Sequence, residues 1–323
     1  MSSSPSSYPL YVDDLGHGLQ VPQAPAACDG VTLMAFFVEG TQANMQALVD
    51  KFLNQPNGGA ITYSVIGSSV MLSYSLTARH FSVTEQAGYT PDYETGFWIP
   101  LLARTTDGSS PDRITFWIPY LFISGPMGMA TGREIWGFRK EIGDITMPLQ
   151  PTDPADFVTN AIVFDPLSNA SQGTMRTVAR VRRDGTLGPL QEIEDLWKLL
   201  IDFWGKGASK LPVHGLELLV DVVKMLASRA VPSVNFKQFR DARDSTRACY
   251  QAIIESTFTP THIYGGGLLT GDYVLDLADF PSHQIANDLG LPTTGGIPVL
   301  FACWAKLDFT ADAGTEVWRA PNT

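Results

Sequence analysis

The sequence predicts an α+β chain made mainly of strands, with a large, mostly antiparallel sheet or barrel and one helical block. Three observations predict it. Apolar, strand-like runs bounded by Gly, Pro, Asn and Asp turns recur from 31 to 309. Two of them, 94–103 and 113–123, flank a polar turn at 105–112 and read as a hairpin. Long helical periodicity is concentrated in one block, at 192–204 and 215–229, where Leu216, Leu219, Val220, Val223 and Leu226 share a stripe.

In chain order, residues 1–30 read as an irregular, Ser- and Pro-rich tail. The run 31–39 (VTLMAFFVE) is apolar throughout and is expected to be a strand buried on both faces. Thr41 is placed to cap a helix over 42–53, with Met45, Leu48, Val49 and Phe52 on one stripe. Asn57-Gly58-Gly59 turns the chain. Two strands follow around Gly67, within 61–76, and a third stretch covers 79–83. Pro100 and Pro119 inside the hairpin runs point to edges, ends or bulges. A small-residue turn at 124–131 leads into one or two helical turns at 132–138. Strands are expected at 145–148, 155–164 and 174–183, and, after the helical block, at 234–240, 249–259, 261–268, 273–277 and 297–309. A short helix is expected within 281–289. Nothing divides the chain sharply, so 31–310 is read as a single domain with a helical insertion at about 190–231, and 311–323 as a C-terminal tail.

Composition excludes several classes. The chain has 323 residues and a formal net charge of -11, which argues against sequence-independent nucleic-acid binding and against docking on anionic membranes. Hydrophobic residues make up 44%, enough for a large core. No run approaches a membrane-spanning length, and 1–9 lacks the basic and apolar regions of a signal peptide. Cys28, Cys249 and Cys303 are scattered and odd in number, which suits a reducing compartment, and a cytoplasmic protein is expected. His17, His80, His214, His262 and His283 have no paired metal-ligand spacing, so no metal or other cofactor is expected. Tyr264-Gly265-Gly266-Gly267 lacks the lysine ending and strand-to-helix context of a phosphate loop, and no Gly-x-Ser-x-Gly elbow occurs.

The stretch Gly132-Arg133-Glu134-Ile135-Trp136-Gly137-Phe138-Arg139-Lys140-Glu141 stands out. A single lysine, Lys140, lies among Arg133, Arg139, Glu134 and Glu141, directly after the most apolar segment of the chain. Lysines in such settings become nucleophiles, although a charged loop after a buried strand has the same appearance. The nearby Met129, Phe97, Trp98 and Trp136 are pocket-lining or core residues on the same footing.

This stretch resembles the signature of the acetoacetate decarboxylase-like superfamily: Gly-Arg-Glu, an aliphatic residue, a variable position, Gly or Ala, an aromatic, then Pro-Lys-Lys. Here Arg139 stands for the proline, Lys140 for the first lysine and Glu141 for the second. A second block, Glu94-Thr95-Gly96-Phe97-Trp98-Ile99-Pro100, is similar to the family segment that carries its catalytic glutamate, and precedes the lysine as in the family. A softer likeness surrounds Lys237, and the order of strands and glycines over 249–290 is similar too. The resemblance implies a cone-shaped antiparallel β-barrel flanked by smaller sheets and helices, commonly as a homo-oligomer. It implies a Schiff base between Lys140 and a small-molecule keto acid, with Glu94 as general acid and base, and a pocket that includes Arg133, Glu134, Phe97, Trp98, Trp136, Glu141 and Met129. Acetoacetate decarboxylase is itself the standard example of a lysine activated by desolvation or by a neighbouring cation, so such activation of Lys140 is part of the resemblance. The simplest reaction implied is decarboxylation of a β-keto acid. The departure at Glu141, and the absence of the family's early arginine near Thr32, keep two alternatives open: an aldolase-dehydratase, or a cyclising or condensing enzyme, on a 2-oxo acid such as pyruvate, and a non-catalytic binding protein that retains the pocket. Adjacent strand residues face opposite ways, so the sequence leaves open whether Glu141 shares the pocket of Lys140.

Overall fold

A computed structural model describes residues 8–12, 16–18, 21–185, 191–192 and 230–321. The strands are β1 (Ala26–Glu39), β2 (Ile61–Val65), β3 (Ser69–Ser82), β4 (Thr90–Thr105), β5 (Arg113–Ile123), β6 (Lys140–Thr146), β7 (Asp156–Val163), β8 (Thr174–Asp184), β9 (Gln191–Glu192), β10 (Val231–Arg240), β11 (Ala248–Leu268), β12 (Asp272–Leu277), β13 (Ile297–Pro298), β14 (Phe301–Ala311) and β15 (Thr315–Arg319). Helix α1 (Gln42–Val49) continues into a π-helical turn, Asp50–Asn54, and α2 (Pro126–Thr131) into another, Gly132–Trp136. Helix α3 is Ile285–Leu289. The class is α+β, as expected. The helical stretches expected at 192–204 and 215–229 lie outside the described residues.

Seven strands close a ring in the order β5, β10, β11, β14, β1, β3, β4 and back to β5. All its pairings are antiparallel except β5 with β10. A second sheet, β6-β7-β8-β12-β13, leaves the ring through a parallel pairing of β6 with β5. Parallel pairing requires a crossover, and α2 with its π-turn supplies it.

The main core lies between the ring and this second sheet. Phe36 on β1 is fully buried there, with its ring centroid 4.8 Å from Phe157 on β7 and 5.3 Å from Tyr273 on β12. β1 is buried on both faces because the ring interior takes one side chain and the second sheet the next, which is why its sequence reads as a continuous apolar run. β2, at the end of its sheet, instead alternates buried and exposed residues.

Several local expectations change. β1 begins at Ala26 instead of at 31, because Ala26, Ala27 and Cys28 pair with β3 on one side and β14 on the other. Residues 315–319, expected in a tail, pair with β11. The two strands expected at 249–259 and 261–268 form one strand, β11, with register shifts near Pro260 and Ile263 absorbing the break. The stretch 79–83 continues β3 through another irregularity in its pairing with β4. Thr41 makes no capping bond to α1; its Oγ1 donates to Gly290 O at 3.1 Å, tying α1 to the end of α3. Among the described residues, no helix is long and apolar enough to cross a membrane.

Because Phe36 joins the two sheets, Phe36→Ala is expected to cost about 3–5 kcal/mol of stability, as large-to-small changes at filled aromatic sites do. Chemical denaturation checks this; a loss below about 1 kcal/mol would show that the inter-sheet core closes over the gap.

Candidate active site

The path from β5 to β6 is set by small residues. Pro126 opens α2 at a position where its missing N–H costs nothing. The π-turn ends at Gly137, in the left-handed region at φ 78°. A Cβ there would lie 2.6–2.9 Å from the backbone and Cβ of Lys237 on β10, so only glycine lets the turn pass this close. Strand β6 then starts at Lys140, in register with Leu121 of β5. Gly132 faces the lysine stem: a Cβ there would come within 2.7 Å of Lys140 Cδ and 2.8 Å of Cε.

Strand β4 supplies the partner. Asp92 and Glu94 alternate onto one face, toward the ring interior, while Thr95 and Phe97 face the main core. Lys140 Nζ donates a hydrogen bond to Glu94 Oε1, although the two residues are 46 apart in sequence. Lys140 is 8% exposed. Its Nζ lies 5.8 Å from the ring centroid of Phe138.

The pair borders a small chamber of about 50 Å³. Trp136, Phe138, Phe258 and Phe309 form its apolar wall. Its polar wall holds Cys28, Thr77, His80 and Asp92. His80 Nδ1 lies 3.1 Å from Asp92 Oδ2, and Asp92 is 3% exposed. Burial, and next the negative charge of Glu94, push the Cys28 thiol well above the usual range. Burial alone pushes the Cys303 thiol up to about 12. Among the described residues, no three His, Cys, Asp or Glu side chains cluster as metal ligands.

The other residues singled out from the sequence are dispersed. Trp136 lines the chamber, and its indole N–H donates to Asp312 O at 2.8 Å. Glu141, grouped with the pocket by the resemblance, points the other way, because adjacent strand residues face opposite sides, and its carboxylate meets His283 Nε2 at 3.0 Å. Arg133 is exposed beside an outer cleft and donates to Lys140 O at 3.1 Å. Arg139 stacks on Phe52 at 4.0 Å, away from the chamber. Glu134 borders a separate cleft with Lys237. Phe97 is fully buried in the main core. Trp98 donates to Ser73 Oγ at 2.8 Å and packs on Phe258 without lining the chamber, and Met129 does not line it either.

Sequence reading missed Cys28, His80 and Asp92. Asp92 carried a usable signal, two residues before Glu94 on one strand and therefore on its face. Cys28 lay in the segment read as a tail. His80 lies three residues from Thr77, which puts the two on opposite faces of a regular strand; the irregular register between them in the β3–β4 pairing turns both to the chamber.

At the level of sequence, no family model and no curated protein matches the chain. Solved structures do. Acetoacetate decarboxylase from Legionella pneumophila superposes with a TM-score of 0.60 at 14% identity, covering 98% of this chain and 94% of that one. An acetoacetate decarboxylase-like enzyme from Sphingomonas wittichii RW1 gives 0.57 at 12%, covering 93% and 96%. The enduracididine biosynthesis enzyme MppR, complexed with pyruvate, gives 0.53 at 13%, covering 94% and 93%. The chain has the fold of acetoacetate decarboxylase, and identities of 12–14% show the fold alone.

Two outcomes follow from the geometry. Gly132→Ala is expected to leave stability within about 1 kcal/mol of the parent, since alanine suits a helical site and the clash falls on a flexible stem. The same change is expected to push the Lys140 amine off Glu94. A melting curve and a crystal structure of the variant test this, and an intact Lys140–Glu94 contact would refute it. Iodoacetamide on the native protein near pH 8 is expected to label exposed Cys249 and spare Cys28 and Cys303, read by peptide mass spectrometry.

Proposed function

We propose that the chain is a Schiff-base enzyme acting on a short-chain keto acid, with Lys140 as nucleophile and Glu94 as its proton shuttle. The observation that carries this is the direct contact of the two side chains inside a small, largely apolar chamber. A water-sized group needs about 10–15 Å³ by the same measure, so the chamber takes roughly three to five such groups, which favours a small carbonyl substrate.

The chemistry follows from the pair. Transfer of one proton from the Lys140 ammonium to the Glu94 carboxylate leaves a neutral amine and a carboxylic acid in contact. The amine attacks the substrate carbonyl. Glu94 returns its proton to the carbinolamine oxygen, which leaves as water, and the resulting iminium withdraws electrons from the neighbouring bond.

Decarboxylation is the simplest outcome. A β-carboxylate in this chamber meets four aromatic rings and the carboxylates of Glu94 and Asp92, and no arginine or second lysine lines it among the described residues. Such surroundings disfavour the bound carboxylate and favour its departure as neutral CO2. The electron pair left behind enters the iminium and gives an enamine. A second reading, condensation of a 2-oxo acid with an aldehyde, draws support from the shared fold of MppR, which is also known in complex with the condensation product of pyruvate and imidazole 4-carboxaldehyde. Under that reading no CO2 is lost: the iminium gives up a proton from its neighbouring methyl carbon, the C–H pair becomes the enamine double bond, and that carbon attacks the aldehyde carbonyl.

Borohydride added to the protein with acetoacetate or pyruvate is expected to fix a mass adduct on Lys140 that Lys140→Ala removes. Release of CO2 from acetoacetate above the background rate supports decarboxylation. Water loss with pyruvate plus an aldehyde supports condensation. Absence of any Lys140 adduct across a keto-acid panel would leave a non-catalytic binding protein.

A further inference from the structure

The Schiff-base reading leaves the imidazole of the chamber, His80, without a task. Glu94 is engaged by the Lys140 amine, so it serves the nitrogen and the departing water. The carbon that gains or loses a proton lies one bond beyond the iminium carbon, away from that nitrogen. His80 borders the same chamber from β3.

Three features set His80 apart from a histidine that merely fills space. The register irregularity between Thr77 and His80 turns it inward, at a strand position where regular pleating would turn it out. Its Nδ1 is taken by Asp92, which is buried. A carboxylate accepts from Nδ1–H, and this fixes the neutral ring as the tautomer with a bare Nε2. Nε2 makes no hydrogen bond among the described residues. Asp92 is itself fixed by its surroundings: Cβ atoms at Gly125 and Gly128 would come within 1.7 Å and 2.7 Å of its carboxylate oxygens, so α2 packs directly on it. Two successive glycine contacts and a strand irregularity thus hold a carboxylate-imidazole pair beside the Lys140–Glu94 pair.

We propose that His80, oriented by Asp92, is the residue that moves the proton at the substrate carbon adjacent to the Lys140 iminium. This rests on the Schiff-base reading above. In the exchange direction, His80 Nε2 takes a proton from that carbon. The C–H electron pair becomes the enamine double bond, and the imine π pair moves to nitrogen. In the return direction, the imidazolium gives the proton back and the iminium is restored. After loss of CO2, an imidazolium that has taken its Nε2 proton from solvent gives that proton to the enamine carbon. Asp92 is a positioning residue: it holds the tautomer and does not touch the substrate.

The test uses acetone, a neutral ketone with no carboxylate to lose. The full-length protein in D2O is expected to accelerate exchange of the acetone methyl hydrogens, followed by NMR, and borohydride is expected to fix an isopropyl group on Lys140. In His80→Gln, exchange is expected to fall roughly 100-fold, the usual contribution of a general acid or base, with the isopropyl adduct still formed. Asp92→Asn is expected to lower exchange by at least roughly tenfold and also to retain the adduct, since only the ring's orientation and tautomer change. Exchange at the parent rate in His80→Gln, with the adduct present, overturns the proposal. Should His80→Gln fail to fold, Asp92→Asn decides: adduct with slowed exchange supports the assignment, and adduct with parent exchange refutes it. Absence of the adduct in the parent protein removes the Schiff-base reading and this one with it.

Discussion

The contact between Lys140 and Glu94 is the constraint on which the rest of the site depends. Taking an ammonium and a carboxylate out of water costs more than their mutual attraction returns unless the geometry is tight and each group stays matched. The protein meets that condition by bringing three segments together. β4 carries the carboxylate, β6 carries the amine, and the π-turn after α2 lies against the lysine stem. Each approach relies on an absent side chain. Gly132 makes room for the lysine, Gly137 lets the turn pass under β10, and Gly128 lets α2 rest on Asp92. A motif that reads as charges in sequence is, in three dimensions, equally a set of glycines that permit close contact.

The two-faced sheet explains how one short motif serves unrelated ends. In β4 and at the start of β6, alternate residues belong to the chamber, and the residues between them belong to the packing outside it. Glu94 faces the chamber and Thr95 the core, where it accepts a hydrogen bond from Thr159 Oγ1 at 2.9 Å. Lys140 faces the chamber and Glu141 turns to His283. The replacement of a second lysine by Glu141 therefore bears on the outer cleft and not on the chamber. Arg133 and Arg139 likewise serve the backbone and an aromatic stack. Functional groups mounted on paired strands are held more tightly than groups on loops, and this suits a chamber small enough that a misplacement of one side chain would fill it.

The sequence by itself determined the class, most of the strands and the two residues that meet. Burial on both faces makes continuous apolar runs of the central strands, the Pro and Gly turns bound them, and the pairing of a lone lysine with a distant glutamate was legible through the likeness of two short motifs. Tertiary structure alone decided which neighbours of Lys140 share its chamber, because that depends on strand parity and on where parity breaks. Phe97, Glu141 and Arg139 lie next to the motif residues in sequence and face elsewhere. Cys28 and His80 lie far from them and face in. The physical reason is that side-chain direction alternates with a period of two only while the ladder is regular, and the irregularity before His80, like the pairing that recruits residues 26–28 into β1, is fixed by strands distant in sequence.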